Sequence, residues 1–165
     1  MRLGRLDNAD IAAYVSQRFE ATGRGAGEAL GPLLDAASGH PQRAMLLAHR
    51  LWEVLPHGET ADLDHWRRAH AAALAELDAE FDAQWRGFDT SEQKTMRAVI
   101  AGEGSPYKGD VLRRLELTKD MVRKALPRLS ATAEIETVEG KHAVVDPLFA
   151  QWIERVNEGL PGAVE

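Results

Sequence analysis

The sequence predicts a mostly α-helical chain in two parts, a helical bundle followed by a helix-turn-helix domain with a small β-hairpin. Three observations predict it. Apolar residues recur at steps of three and four through most of the first 86 positions. After Phe88 the helical segments become short, and two extended stretches, 134–138 and 142–145, flank the turn residues Glu139-Gly140-Lys141. The predicted boundaries are 1–86 for the bundle, 88–158 for the second domain and 159–165 for a tail.

The first part contains four predicted helices. Asp7 or Asn8 caps a helix over about 8–22, because a short polar side chain can accept a hydrogen bond from the first helical turn. A second helix ends at Gly39. The next helix, from Pro41 to Leu55, has apolar residues on more than one face, which predicts that it is buried on two sides.

The longest predicted helix opens at Thr60 or Asp62 and runs to about Arg86. A glycine-rich segment, Gly23-Arg24-Gly25-Ala26-Gly27, ends the first helix. It lacks the lysine of a phosphate-binding loop and follows a helix rather than a strand, so we predict that it is a connector.

The second part has the order of a winged helix. Thr90 with Gln93 predicts a capping box for its first helix. A short helix follows, and the tight link Glu116-Leu117 leads to a third helix that Thr118 caps. The hairpin then forms the wing, and Asp146-Pro147 opens a final helix.

Composition limits the class of protein. The net charge of −6 and the pI of about 5.5 exclude a protein that coats nucleic acid or anionic membranes indiscriminately. The chain has no cysteine, and its first residues lack the apolar run of a signal peptide, so we expect a cytoplasmic protein that does not bind membranes. Its six histidines form no HExxH motif, and no metal ligands or catalytic residues are predicted.

Positive charge is concentrated in the helix-turn-helix region. Residues 103–130 carry seven basic and four acidic side chains, a net charge of +3 that leaves −9 on the rest of the chain. Helical geometry turns Lys119, Arg123, Lys124 and Arg128 outward on the third helix. These four side chains are the candidates for contact with duplex DNA or with an acidic protein surface.

The predicted wing favours a protein surface over DNA. Glu134, Glu136 and Glu139 would repel a phosphate backbone, with only Lys141 and His142 to offset them.

Two segments carry a resemblance to a known family. Gly39-His40-Pro41 stands at a helix start, and Val145-Asp146-Pro147-Leu148-Phe149-Ala150-Gln151-Trp152-Ile153 ends the winged helix. With the helix-turn-helix between them, the chain resembles the C-terminal lid and winged-helix region of AAA- or STAND-type ATPases of the archaeal-type branch. The resemblance implies that Pro41 lies near the adenine of bound nucleotide and that Arg43 approaches the phosphates.

The chain departs from this family in lacking a P-loop. No G-x-x-x-x-G-K-[ST] motif is present, and no acidic strand end of Walker-B type follows, so the isolated chain is not predicted to be an enzyme and needs no cofactor of its own. ATP and Mg²⁺ are implied only for a complete ATPase, whose core would be in the same protein or in an associated one. We expect a fragment of such an ATPase, because the lid begins almost at residue 1, or a descendant that lost its core. The alternative is a transcription-factor-like DNA-binding protein with a helical dimerisation domain, and therefore a homo-oligomer.

Overall fold

The computed structural model describes residues 7–158 and confirms that the chain is mostly helical with a two-stranded antiparallel hairpin. A 3₁₀ turn at Gly27–Ala29 precedes the second helix. The elements are α1 Asn8–Glu20, α2 Leu30–Ala37, α3 Pro41–Val54, α4 Leu63–Arg86, α5 Thr90–Ala101, α6 Gly109–Arg114, α7 Lys119–Ala131, β1 Ile135–Val138, β2 Lys141–Val144 and α8 Pro147–Glu158. The chain divides into two compact units between Asp78 and Ala79, so that α4 begins in the first unit and ends in the second.

Local caps fix the helix starts of the first unit. The Asp7 carboxylate accepts a hydrogen bond from the Ala9 N–H at 2.8 Å and is the cap of α1. The Asp62 carboxylate accepts from the N–H groups of Asp64 and His65, each at 2.9 Å, and opens α4. The structure therefore selects Asp7 and Asp62 from the alternatives that the sequence left open.

Small side chains form much of the core of the first unit. Leu33, Leu47 and Leu51 are completely buried. The alanines buried with them are Ala26, Ala29, Ala37, Ala44, Ala48, Ala61, Ala69 and Ala73. Here α2 packs on α3, and α1 packs on both.

The prediction that α3 is buried on two sides is wrong. Its buried residues, Ala44, Leu47, Ala48 and Leu51, have the spacing i, i+3, i+4 and i+7 and therefore share a single face. Met45, on another face, is 38% exposed. The apolar residues of α3 that lie off this face, such as Met45, do not form a second buried face.

The glycine-rich segment is a connector whose backbone pairs with residues 58–61. The Gly25 N–H donates to the Glu59 carbonyl at 3.0 Å, and the Ala61 N–H donates to the Gly25 carbonyl at 2.8 Å. Gly27 has a φ of +51°, and a Cβ there would lie 2.3 Å from the Ala61 carbonyl oxygen. This packing requires glycine at position 27, and the Gly25 N–H is already occupied by a backbone hydrogen bond.

The cap of α5 is one residue earlier than predicted. The Asp89 carboxylate accepts from the Glu92 N–H at 2.9 Å, and the Glu92 carboxylate accepts from the Asp89 N–H at 3.0 Å, forming the capping box. Thr90 is instead the first helical residue, and the Gln93 amide donates to the Trp85 carbonyl at 2.7 Å. Asp89 rather than Thr90 is the N-cap because its carboxylate reaches the N–H of the third helical residue.

The rest of the second unit follows the predicted order. Glu116 adopts a φ of +52° between α6 and α7, and Thr118 caps α7 by accepting from the Met121 N–H at 3.2 Å. The strands pair from Ile135–Val144 to Val138–Lys141, so β2 begins one residue earlier than predicted. α5 packs on α6, α7, β2 and α8.

An aromatic cluster closes the second unit. It consists of Phe81, Trp85, Phe88, Phe149 and Trp152. The rings of Phe81 and Phe149 are 5.1 Å apart, and those of Phe149 and Trp152 are 5.9 Å apart. The predicted start of α8 is confirmed, since the Asp146 carboxylate accepts from the Leu148 N–H at 3.0 Å. Aromatic pairs at such spacings stabilise by about 0.5–1.5 kcal/mol beyond their buried area, and they hold α8 on the end of α4.

Two glycine-to-alanine changes test the connector. Gly27→Ala should lower the free energy of unfolding by at least about 1–2 kcal/mol, because alanine is strained at positive φ and meets a backbone oxygen. Gly31→Ala is the control, since nothing lies within 4 Å of an added Cβ, and it should stabilise by about 0.4–1 kcal/mol. Urea denaturation measures both. Equal effects would contradict the close packing of the connector.

Candidate functional site

The first candidate site is the start of α3, where the sequence predicted a nucleotide-facing turn. Ser38 and Gly39 both have positive φ and end α2, and His40 is extended. Pro41 is the first residue of α3, and the His40 side chain makes no capping hydrogen bond there. A helix N-terminus carries partial positive charge, so this turn can face an anion.

Pro41 and Arg43 are both half-buried in this turn. Both residues belong to the first turn of α3. The imidazole Nδ1 of His40 is buried and, among the described residues, has no hydrogen-bond partner. Sequence reasoning did not single out His40 as a site residue, because nothing in the sequence shows how deeply its ring is buried.

The second candidate site is the outer face of α7. The inner face consists of Val122, Ala125, Leu126 and Leu129, all buried. Lys119, Arg123, Lys124 and Arg128 are exposed, as predicted. The four basic residues therefore share the solvent side of one helix.

Asp120 neutralises the middle of this face. Its carboxylate forms ion pairs with Arg123 and, at 2.8 Å, with Lys124. Hydrogen bonds from Lys124 and Arg123 hold the pKa of Asp120 below its ordinary value. Solvent screens exposed pairs of this kind, so an anionic partner can compete for the cations, but it must also approach the Asp120 carboxylate.

Arg128 belongs to a structural cluster at the start of α5. Its guanidinium lies 3.0 Å from the Asp89 carboxylate and 3.4 Å from the Glu92 carboxylate, the two members of the capping box. The backbone N–H of Glu92, the Ser91 hydroxyl and the charge of Arg128 lower the pKa of Asp89. Arg128 therefore ties α7 to α5, and Lys119 is the remaining predicted cation without an ion pair among the described residues.

Sequence reasoning missed Arg97 on α5, which interacts electrostatically with Arg114 at the end of α6, one of the seven basic residues counted in 103–130. Arg97 is half-buried, and burial together with the charge of Arg114 lowers its pKa. Within residues 7–158 neither guanidinium has a carboxylate partner. The unbalanced positive charge of this unit therefore includes α5 and α6. Arg97 was missed because the charge count began at residue 103.

The hairpin presents less negative charge than predicted. Glu134 precedes β1, and its carboxylate accepts a hydrogen bond from the Gln84 amide at 2.8 Å. Burial raises the pKa of Glu134. Glu139 occupies the exposed turn between the strands. Glu134 therefore faces α4, and the repulsion expected from three wing glutamates is reduced.

In the described part of the chain, no helix is both long and apolar enough to cross a membrane. The same residues contain no cluster of three or more histidine or acidic side chains that could hold a metal ion.

Comparison with protein-family models, with curated proteins and with solved structures found no match to this chain. The functional argument therefore depends on the residues of the two candidate sites.

The Asp89 cap gives a pH-dependent prediction. Asp89→Ala should lower the free energy of unfolding by about 0.5–2 kcal/mol at pH 7, the usual value of an N-cap. Because the folded-state pKa of Asp89 is lowered, this stabilisation is present above the unfolded value of 3.8 and is lost as pH falls through the folded value. Urea melts at pH 7 and pH 2.5 measure the difference.

Asp89→Asn is the matched control for the cap. Asparagine keeps the acceptor oxygen without the charge, so the variant should lose less stability at pH 7 and approach the wild type at low pH. A gap between wild type and Asp89→Ala that widened below pH 4 would contradict the assignment.

Proposed function

We propose that this chain is the C-terminal lid and winged-helix regulatory module of an AAA- or STAND-type ATPase. In this proposal the first unit contacts bound nucleotide through the start of α3. The second unit, with the order α5-α6-α7-β1-β2-α8, is a winged helix-turn-helix domain that conveys the nucleotide state to a partner. The resemblance of Gly39-His40-Pro41 and of the residues around Asp146-Pro147 to this family supports the proposal.

One observation favours a protein partner over DNA. Three of the four predicted cations on α7 are already paired, Arg123 and Lys124 with Asp120, and Arg128 with the capping box of α5. A helix that reads DNA must bring cations to phosphates, and Asp120 in the middle of the face opposes this. A protein surface with both signs of charge can exchange partners with these pairs.

In this proposal the chain supplies only part of a nucleotide site. By the resemblance, Pro41 would lie near the adenine, and Arg43, in the first turn of α3, would approach the phosphates at the positive end of the helix. A phosphate cradle and the ligands for Mg²⁺ would come from the ATPase core. Bound ATP would supply the γ-phosphate that the core cleaves, and the role of this chain would be to position Arg43.

Binding of DNA by the second unit is the second candidate function. The specific observation in its favour is the group of Arg97, Arg114 and Lys119, which have no carboxylate partners among the described residues. Such cations can bind duplex phosphates.

Nucleotide titration tests the first unit. The isolated chain should bind Mg-ATP no more tightly than about 1 mM, about −4 kcal/mol, because it supplies one turn and no phosphate loop. In the complete ATPase, Arg43→Ala should lower kcat, whereas Arg68→Ala, a change at an exposed arginine of α4, should not. Micromolar ATP binding by the isolated chain would contradict the proposal, as would unchanged turnover in Arg43→Ala.

Mobility-shift measurements test the second unit. The wild-type chain should not shift duplex DNA at low salt, and the pair of changes Arg123→Glu and Lys124→Glu should alter nucleotide turnover in the complete ATPase. Specific duplex binding would support the DNA-binding alternative instead. Its affinity would then fall with salt by a log-log slope of about −0.9 per phosphate neutralised, and the double variant would abolish it.

A further inference from the structure

A groove of about 470 Å³ lies between α1 and α3 in the first unit. Tyr14 and Arg18 line it from α1, and Met45, His49 and Trp52 line it from α3. The groove is distinct from both candidate sites, since none of these residues belongs to the first turn of α3 or to the second unit.

One end of the groove is fixed by Trp52. Its indole N–H donates to the Thr22 hydroxyl at 2.9 Å, and the Arg24 guanidinium lies 4.4 Å from the centre of its ring. Arg24 in turn donates from Nε to the Leu55 carbonyl at 2.8 Å. A ring held in this way loses little conformational entropy when a partner contacts it, which favours binding.

The groove exposes apolar side chains that the core does not use. Tyr14 of α1 is 49% exposed and Met45 of α3 is 38% exposed, and neither belongs to the buried face of its helix. Tyrosine, tryptophan, methionine and arginine are the side chains enriched at protein interfaces, and tryptophan, tyrosine and arginine dominate their energetics. The exposed walls make an open trough, whereas a small-molecule site encloses most of its ligand.

The charges that line the groove indicate what kind of ligand it can bind. The Arg18 guanidinium lies 5.9 Å from the centre of the Tyr14 ring and has no carboxylate partner among the described residues. On the other wall His49 lies 3.4 Å from Glu53, whose carboxylate is also bound by Arg50 at 2.5 Å. The groove is therefore apolar with an unbalanced cation on an otherwise acidic chain, and it fits an apolar segment that carries a carboxylate.

We propose that the groove binds a short amphipathic helix of a partner protein, whose apolar side chains contact Tyr14, Met45 and Trp52 and whose carboxylate pairs with Arg18. From Tyr14 to Ala21 the groove follows two turns of α1, about 10 Å at 1.5 Å per residue, which accommodates two turns of a bound helix. Such helices are recognised through residues spaced at i, i+3, i+4 and i+7.

Selection from a displayed library of random 16-residue peptides against the full chain tests the proposal. Enriched peptides should carry apolar residues at helical spacing together with aspartate or glutamate. In fluorescence anisotropy, Arg18→Glu should weaken the binding of a selected peptide at least tenfold, and a peptide with lysine in place of its acidic residue should recover affinity for that variant. Arg68→Glu, an equal change of charge on exposed α4, should leave affinity unchanged.

Two results would overturn the proposal. The first is enrichment no greater than against a chain with Tyr14→Ser and Met45→Ser, two changes at exposed positions whose effect on folding circular dichroism checks. The second is a dimer in light scattering that this double variant abolishes, since a second copy of the chain would then occupy the groove.

Discussion

The close contact of small residues is the constraint on which the first unit depends. Gly25 and Gly27 lie against residues 59–61 so closely that a Cβ at either position would meet Thr60 or the Ala61 carbonyl below 3 Å. Buried alanines fill much of the space between the helices. Small side chains bury little apolar area each, so stability depends on many tight contacts rather than on a few large side chains.

This packing also explains why large apolar side chains remain outside. Because α3 meets its neighbours through Ala44, Ala48 and two leucines on one face, Met45 and part of Trp52 are left toward solvent. In the second unit, by contrast, large aromatic rings from α4 and α8 contact one another. Large apolar side chains are nevertheless exposed in both units, Tyr14, Met45 and Leu63 in the first and Tyr107, Val138 and Val156 in the second.

The sequence predicted the helix starts and the hairpin well, because the signals are local. Asp7, Asp62, Thr118 and Asp146 each bond an N–H two or three residues away, and a short-range pattern is enough to find such a cap. The capping box of α5 was predicted one residue too late. Asp89 and Thr90 both have side chains that can cap a helix, and the spacing of apolar residues does not show which of them does so. Helix ends are the least certain feature of any sequence pattern.

The candidate sites were predicted less completely, because charge balance is a property of the fold. Asp120 could be recognised as a partner of Arg123 and Lys124 from helical spacing alone. Arg128, however, meets Asp89 across 39 positions of sequence, a distance that only the packing of α7 on α5 closes. The pKa of the half-buried Arg97 is lowered by its burial and by the charge of Arg114, which lies on another helix.

The same balance decides what the second unit can recognise. A net charge of +3 over residues 103–130 suggests a surface for nucleic acid when it is counted along the chain. In the fold, ion pairs within the unit neutralise part of that charge. Asp120 pairs with Arg123 and Lys124, and Arg128 pairs with Asp89 and so joins α7 to α5. Among the described residues, Arg97 of α5, Arg114 of α6 and Lys119 at the start of α7 have no carboxylate partner. A partner that contacts all of them must tolerate the Asp120 carboxylate, which a protein surface carrying its own cations does more readily than a phosphate backbone.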